Sequence, residues 1–231
     1  MKKEELMARL AGVAYKRDSR IKEELKKLGF KTPMIRVVKD LKYFISTYNN
    51  EIYIGIRGSA NKRNWVRNFN FFPKKKTHRG FRKGSDLLFK DIEELKLKDL
   101  PINISAHSLG ASLALLLGIK MGNGNYNIKS IYGFGCPRVF TKKKNIDEEL
   151  DGIDCKSFVN NLDVVTQLPP VFPFGYEHKN DRHYINHKGG ILVNPSDKTI
   201  ALDRIDGLAE DKSPKESYKD HEISYYIKLL Q

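Results

Sequence analysis

The sequence predicts an α/β fold with a central, mostly parallel sheet flanked by helices, and three observations support this prediction. Short β-type stretches alternate with helical stretches through the central third of the chain. The helical stretches there are apolar on one face or throughout, as helices that cover a sheet are. The length of 231 residues suits one α/β domain with a sizeable buried core. We therefore expect a single domain over residues 1–231, in which residues 1–30 form an N-terminal helical segment.

The predicted elements begin with helices and then alternate between strand and helix. Apolar residues at helical spacing over residues 3–28 predict a helical segment that is interrupted near Gly12 and capped by Gly29. Asn49-Asn50 indicates a tight hairpin between two β-type stretches. Further along, the pattern predicts a helix at 84–98, strands at 101–105, 128–134 and 155–160, a strongly apolar helix at 108–121, and a polar loop at 202–220.

Composition restricts the classes of partner. The chain has 42 Lys+Arg against 28 Asp+Glu, a formal net charge of +14, which favours anionic surfaces such as phospholipid headgroups. The lysines stand in short runs rather than in a stripe with interleaved aromatic residues, and no nucleic-acid motif accompanies them, so we expect no nucleic-acid partner. An ordinary solvated basic surface is the alternative.

Hydropathy and cysteine content suggest where the protein works. The longest apolar run, Leu113 to Leu117, is too short to cross a membrane, and the charged N-terminus has no apolar region typical of a signal peptide. We therefore expect a cytoplasmic location. The two cysteines, Cys136 and Cys155, are predicted to be reduced thiols in the core, with a single disulfide between them as the alternative.

The segment Ala106-His107-Ser108-Leu109-Gly110 is a variant of the G-x-S-x-G nucleophile elbow, with alanine at the first small position. It lies between a predicted strand and a predicted apolar helix, which is the context that an elbow requires. The turn would expose the Ser108 hydroxyl at the helix N-terminus, where the Leu109 amide can stabilise an oxyanion. The alternative is a serine that only caps an ordinary helix.

A nucleophilic serine needs a base, and the base needs a carboxylate that fixes its tautomer. Asp163 follows a predicted strand, and sites of α/β proteins gather at the carboxyl ends of their strands. His221 precedes a short C-terminal helix. The chain order Ser108, Asp163, His221 is the Ser–Asp–His order of α/β-hydrolases.

Further motifs surround these residues in the same order as in a known family. They are Ile54-Gly-Ile-Arg-Gly-Ser59 with Asn64-Trp65, His78-Arg-Gly-Phe81, Gly133-Phe-Gly-Cys-Pro-Arg138, Val159-Asn-Asn-Leu-Asp163, Leu168-Pro-Pro170 with Gly175-Tyr-Glu-His178, and His221 with Tyr225. Together they resemble the class 3 lipases, the family of the fungal triacylglycerol lipases, over about residues 35–226. The resemblance implies an α/β-hydrolase fold. Ala106 departs from the glycine usual in the family.

The resemblance also implies roles for residues outside the triad. Ser59 corresponds to the second oxyanion-hole residue, beside Leu109. Trp65, Phe69 and Phe72 stand at helical spacing after Ser59, where the family carries a lid that opens at lipid surfaces. A short helix packed permanently on the core would show the same spacing.

The remaining histidines do not predict a metal site. By the resemblance, His78, His107 and His178 are packing and hydrogen-bonding residues. His183 and His187 flank a strand-like segment and would lie roughly 13 Å apart, too far to share one ion. We therefore expect no metal and no cofactor.

The prediction is a serine carboxylic-ester hydrolase that acts on lipid esters, either acylglycerols or phospholipids, and that works at an anionic membrane surface. Two alternatives stay open at this point. One is a soluble short-chain esterase whose aromatic segment belongs to the core. The other is a catalytically silent, basic lipid-binding module. The sequence leaves the oligomeric state undetermined.

Overall fold

The computed structural model describes residues 1–59, 73–74, 77–97, 100–141, 147–178, 181–210 and 219–231. Within these ranges the helices are α1 (Lys3–Val13), α2 (Asp18–Lys27), α3 (Arg79–Glu93), α4 (Leu109–Asn123), α5 (Asp147–Leu150), α6 (Asp197–Glu210) and α7 (Ile223–Leu229), and Val164–Gln167 forms a 3₁₀ turn. The strands are β1 (Met34–Val38), β2 (Leu41–Tyr48), β3 (Glu51–Ile56), β4 (Pro73–Lys74), β5 (Thr77–His78), β6 (Ile102–His107), β7 (Ile128–Phe134), β8 (Phe140–Thr141), β9 (Asp154–Asn160), β10 (Tyr176–Glu177), β11 (Asp181–Ile185) and β12 (Ile191–Val193).

The main sheet has eight strands in the order β1-β2-β3-β6-β7-β9-β11-β12. The five strands from β3 to β11 run parallel, and antiparallel pairs occur only at the two edges. Every residue of the central strand β6 is buried, as expected for a parallel strand covered on both faces. The predicted α/β fold with a mostly parallel sheet is confirmed. A smaller antiparallel sheet has the order β10-β8-β5-β4.

Helices cover both faces of the main sheet and form the two larger hydrophobic cores of the described residues. On one face, α3 and the strongly apolar α4 pack on isoleucines of the central strands. On the other face, α1, α2 and α7 pack on aromatic side chains that include Tyr132, Phe134 and Phe158. The N-terminal helical segment therefore contributes directly to one of the two cores.

Two local signals act as the sequence predicts. Asn49 and Asn50 both have positive φ (47° and 61°) in the two-residue turn between β2 and β3. This conformation matches the twist of a tight hairpin, and asparagine tolerates it. Gly29 has φ 83° and its N–H donates to the Lys26 carbonyl, which terminates α2.

Two predicted boundaries are wrong. The helix expected at 84–98 begins at Arg79, because His78 caps it by accepting a hydrogen bond from the Phe81 N–H. The region expected to be a loop from Leu202 is helical as far as Glu210. The Ser196 hydroxyl accepts a hydrogen bond from the Thr199 N–H at the start of this helix, α6. Capping by a single side chain, such as that of His78, therefore sets a boundary that hydrophobic periodicity alone does not locate.

Cys136 and Cys155 are buried free thiols, in agreement with the predicted reduced state. Burial raises the pKa of the Cys136 thiol to about 12, so it stays protonated at neutral pH. Within the described part of the chain, we find no helix with the length and apolarity needed to span a bilayer.

Candidate active site

The turn between β6 and α4 has the strained backbone of a nucleophile elbow. Ser108 has φ 60° and ψ −132°, an unfavourable combination for a residue with a side chain. The turn is close-packed: a Cβ on Gly110 would lie 2.7 Å from the Ile56 carbonyl oxygen. Ala106 is fully buried on β6, so its extra methyl group is part of the core. The strain presents the Ser108 hydroxyl at the carboxyl end of the sheet.

Ser108, His221 and Asp163 form a continuous hydrogen-bonded chain. The Ser108 hydroxyl lies 2.8 Å from His221 Nε2, and His221 Nδ1 lies 2.9 Å from Asp163 Oδ2. All three side chains are buried, with Asp163 fully excluded from solvent. Such a chain lets the imidazole accept the serine proton while the carboxylate fixes its orientation.

Asp163 is held by further donors besides His221. It follows β9, and its Oδ1 accepts a hydrogen bond from the Val165 N–H at 2.9 Å, which caps the 3₁₀ turn. The Tyr226 hydroxyl donates to Asp163 Oδ2 at 2.6 Å and accepts from the Asn160 N–H at 3.0 Å. Burial, together with the nearby Asp163 carboxylate, raises the pKa of Tyr226 well above its usual value. Tyr226 therefore remains a protonated donor to the carboxylate.

The sequence did not identify Tyr226. The resemblance pointed to its neighbour Tyr225, which is 40% exposed, whereas Tyr226 is fully buried. Both residues lie on α7, one position apart, so they face different sides of the helix. Only the docking of α7 on the sheet decides which tyrosine reaches Asp163.

The backbone around His221 is fixed from two directions. The His107 Nε2 donates to the His221 carbonyl at 2.6 Å, and the Tyr15 hydroxyl lies 2.9 Å from His107 Nδ1. On the other side, Asp220 Oδ2 accepts from the Leu162 N–H at 3.0 Å. His107 is thus a supporting residue, in keeping with the role that the resemblance implies.

Two backbone segments line the space beside Ser108. Leu109 is the first residue of α4, so its N–H has no acceptor within the helix and faces the helix N-terminus. Ser59 follows Gly58, which lies against His107 and Ser108: a Cβ on Gly58 would lie 3.3 Å from Ser108 Cβ. The structure therefore brings both predicted oxyanion-hole residues close to the nucleophile, and their role stays a prediction.

Gly135 lies directly against the side chains of His221 and Asp163. It has φ 58°, and a Cβ there would lie 2.8 Å from Asp163 Oδ2 and 2.9 Å from His221 Nδ1. Its N–H donates to the Phe158 carbonyl, which ties this loop to β9. Only glycine combines this conformation with this close approach.

The other predicted residues are distributed as follows. The lid residues Trp65, Phe69 and Phe72 lie outside the described residues, and the lid stays a prediction. His187 Nδ1 lies 2.5 Å from Asp203 Oδ1, whereas the His183 ring packs at a tilt of 34° against Phe158. No cluster of metal-ligating side chains occurs within the described part of the chain.

Residues 53–172, just over half of the chain, match the family described as lipase (class 3). The chain belongs to the class 3 lipase family. Among the curated relatives, a lipase of Rhizomucor miehei is 28% identical over 76% of the chain and 52% of its own length. The secreted mono- and diacylglycerol lipase 1 of Fusarium solani is 28% identical over 72% of the chain and 53% of its own length. The chain thus spans about half the length of these relatives.

Solved structures of the family share the fold. A lipase of Rhizopus microsporus var. chinensis superposes with a TM-score of 0.65 at 25% identity, over 79% of this chain and 74% of that one. The triacylglyceride lipase of Rhizomucor miehei gives a TM-score of 0.68 at 19% identity, over 88% and 94% of the two chains. The predicted α/β-hydrolase fold is confirmed by both superpositions.

One expectation from the sequence is wrong. A cytoplasmic location was expected because no signal peptide is visible, but the similar Fusarium solani enzyme is a secreted protein. The cytoplasmic assignment has no support among the relatives.

Proposed function

We propose that the protein is a serine hydrolase that cleaves carboxylic esters of lipids, with Ser108 as nucleophile, His221 as base and Asp163 as the carboxylate that orients the base. The observation that carries the proposal is the hydrogen-bonded chain from Ser108 through His221 to Asp163, with distances of 2.8 and 2.9 Å, on a strained elbow. The family membership supports the same chemistry.

The proposed reaction has two steps of acyl transfer. His221 Nε2 takes the proton of Ser108 as Oγ attacks the ester carbonyl carbon, and the amides of Leu109 and Ser59 stabilise the resulting oxyanion. The protonated imidazole then gives that proton to the departing alcohol, which leaves an acyl-serine ester. Water attacks this ester with His221 again as base, and the collapse of the second intermediate releases the fatty acid and regenerates Ser108.

An acylglycerol is the substrate class that the relatives favour, since the Fusarium solani enzyme is a mono- and diacylglycerol lipase. The net charge of +14 supports action at an anionic lipid surface, because such a surface would concentrate a basic enzyme. A phospholipid remains the alternative substrate, as the same charge would favour it.

Hydrolysis of p-nitrophenyl esters by the wild type and by Ser108→Ala tests the mechanism. We expect the variant to lose activity by a factor on the order of 10⁴ or more, since the triad acts as a unit. Ser19→Ala, at an exposed position on α2, is the matched control and should retain the full rate. Equal rates in the wild type and Ser108→Ala would overturn the proposal. Comparing p-nitrophenyl butyrate with emulsified long-chain di- and triacylglycerol then separates a lipase from a short-chain esterase.

A further inference from the structure

A cavity of about 460 Å³ lies beside the 3₁₀ turn that follows Asp163, and three arginines line it. Arg138 comes from the loop after β7, Arg182 from β11 and Arg204 from α6. We call this cavity the arginine pocket. The three triad residues are not part of its wall.

Two of these arginines are anchored by backbone carbonyls rather than by carboxylates. Arg138 Nη1 donates to the carbonyls of Gln167 and Pro169, and Arg204 Nε donates to the Asn161 carbonyl at 2.9 Å. Among the described residues neither guanidinium forms a salt bridge. Because a guanidinium has five N–H donors, each retains donors that these contacts do not use.

The third arginine has one carboxylate partner. Arg182 Nη1 lies 3.1 Å from Asp197 Oδ1, and the Asp197 side chain is 94% exposed. Glu177 also lines the pocket, so three guanidinium groups share the wall with two carboxylates. A solvated carboxylate such as that of Asp197 offsets little of the positive charge inside the pocket.

The electrostatics of the wall agree with this geometry. Burial, and then the positive charge of Arg204, lowers the pKa of Arg138 to about 10, and burial also lowers the pKa of Arg204. Burial and the nearby Arg138 lower the pKa of His178 to about 3, so this side chain is neutral at pH 7. Its Nε2 donates to the Thr166 carbonyl at 3.0 Å. The arginines remain charged, but their mutual repulsion would be relieved by an anion between them.

We propose that the arginine pocket binds a phosphate group, which is supplied either by a phospholipid headgroup or by free phosphate. Guanidinium groups bind phosphate oxygens with paired, charge-assisted hydrogen bonds, and several converging arginines suit a tetrahedral oxyanion. A lipid source is physically accessible, because Val171 in the pocket wall is 42% exposed and the next residue, Phe172, is 86% exposed. This site does not depend on the proposed hydrolase chemistry.

The first arm of the test measures binding of inorganic phosphate by isothermal titration calorimetry in Ser108→Ala, with chloride at matched ionic strength as the reference. Arg204→Gln removes one guanidinium, and Ala201→Glu places a carboxylate at the rim, where Ala201 is exposed and lines the pocket. We expect saturable binding that weakens about tenfold or more in each variant, since one charge-assisted bond is lost or one repulsion is added. Arg20→Gln, at an exposed arginine on α2, is the matched control for net charge and should bind as before.

The second arm measures sedimentation with vesicles of phosphatidylcholine alone and of phosphatidylcholine with phosphatidic acid. If Arg204→Gln and Ala201→Glu weaken binding to phosphatidic acid vesicles more than Arg20→Gln does, the ligand is a lipid headgroup. Phosphate binding that the pocket variants weaken, without a corresponding effect on vesicles, assigns the pocket to free phosphate. The proposal is overturned if the wild-type pocket binds neither probe, or if the pocket variants and Arg20→Gln behave alike in both arms. Because all arms use protein without Ser108, loss of the ester hydrolase proposal would leave these results unaffected.

Discussion

Replacing Tyr226 by phenylalanine removes one hydroxyl group from the interior of the site and keeps the ring. That hydroxyl donates to Asp163 Oδ2 at 2.6 Å and accepts from the Asn160 N–H at 3.0 Å. A hydrogen bond to a charged group contributes about 1.5–3 kcal/mol, and a buried amide left without an acceptor costs about 1–3 kcal/mol. Because both effects come from the loss of the same hydroxyl, they do not add fully. We expect the free energy of unfolding to fall by about 2–4 kcal/mol.

Catalysis should also slow, because Tyr226 is a positioning residue that acts through Asp163. If the full free energy of the hydrogen bond to the carboxylate stabilises the transition state, kcat/KM falls by roughly tenfold to a hundredfold. The loss should appear in kcat and leave KM nearly unchanged, because Asp163 acts through the base in the chemical step.

The assay is p-nitrophenyl ester hydrolysis with kcat and KM determined separately, combined with urea unfolding of each variant. Tyr225→Phe is the matched control: Tyr225 is 40% exposed, and the loss of its hydroxyl should change neither rate nor stability appreciably. A Tyr226→Phe enzyme with unchanged kcat would refute the positioning role. A loss of stability without any change in kcat would leave Tyr226 a purely structural residue.

Two further predictions follow from the geometry. Gly135→Ala should abolish most esterase activity and lower the free energy of unfolding by at least about 2 kcal/mol, because the added Cβ meets Asp163 and His221 in a positive-φ conformation. Gly122→Ala is its control: a Cβ there meets nothing within 4 Å, and a stabilisation of about 0.5–1 kcal/mol is expected in urea unfolding. For His178, the folded-state pKa of about 3 lies below the unfolded value, so the unfolded chain binds the extra proton and stability falls as pH decreases below about 6.5. This residue contributes a slope of at most about 1.4 kcal/mol per pH unit to the free energy of unfolding. Unfolding measured between pH 7 and 4 should therefore show a shallower loss of stability in His178→Gln than in the wild type. Identical slopes in the two proteins would contradict the lowered pKa of His178.

Much of the fold could be predicted because its signals are local. The alternation of apolar strands and helices specifies a parallel sheet, and the strand predicted at 128–134 has the bounds of β7. The boundary set by the capping side chain of His78 was placed wrongly. Hydrophobic periodicity averages over a whole element and is insensitive to one hydrogen bond at its end.

Some residues of the site could be predicted from the sequence, and others could not. The elbow around Ser108 and the positions of Asp163 and His221 were found from motifs in chain order, and the structure places the three side chains in hydrogen-bond contact. Tyr226 was missed, because two adjacent tyrosines look equivalent until α7 is docked against the sheet.

The sequence by itself determined the class of fold, the family and the chain order of the three triad residues, since these depend on residue types and spacings along the chain. Only the tertiary structure decided which groups surround Asp163 and that Arg138, Arg182 and Arg204 share one cavity. The three arginines come from three separate elements that lie far apart along the chain. Their convergence depends on how α6 packs beside β11 and the loop after β7, and packing between distant segments leaves no periodic signal in the sequence.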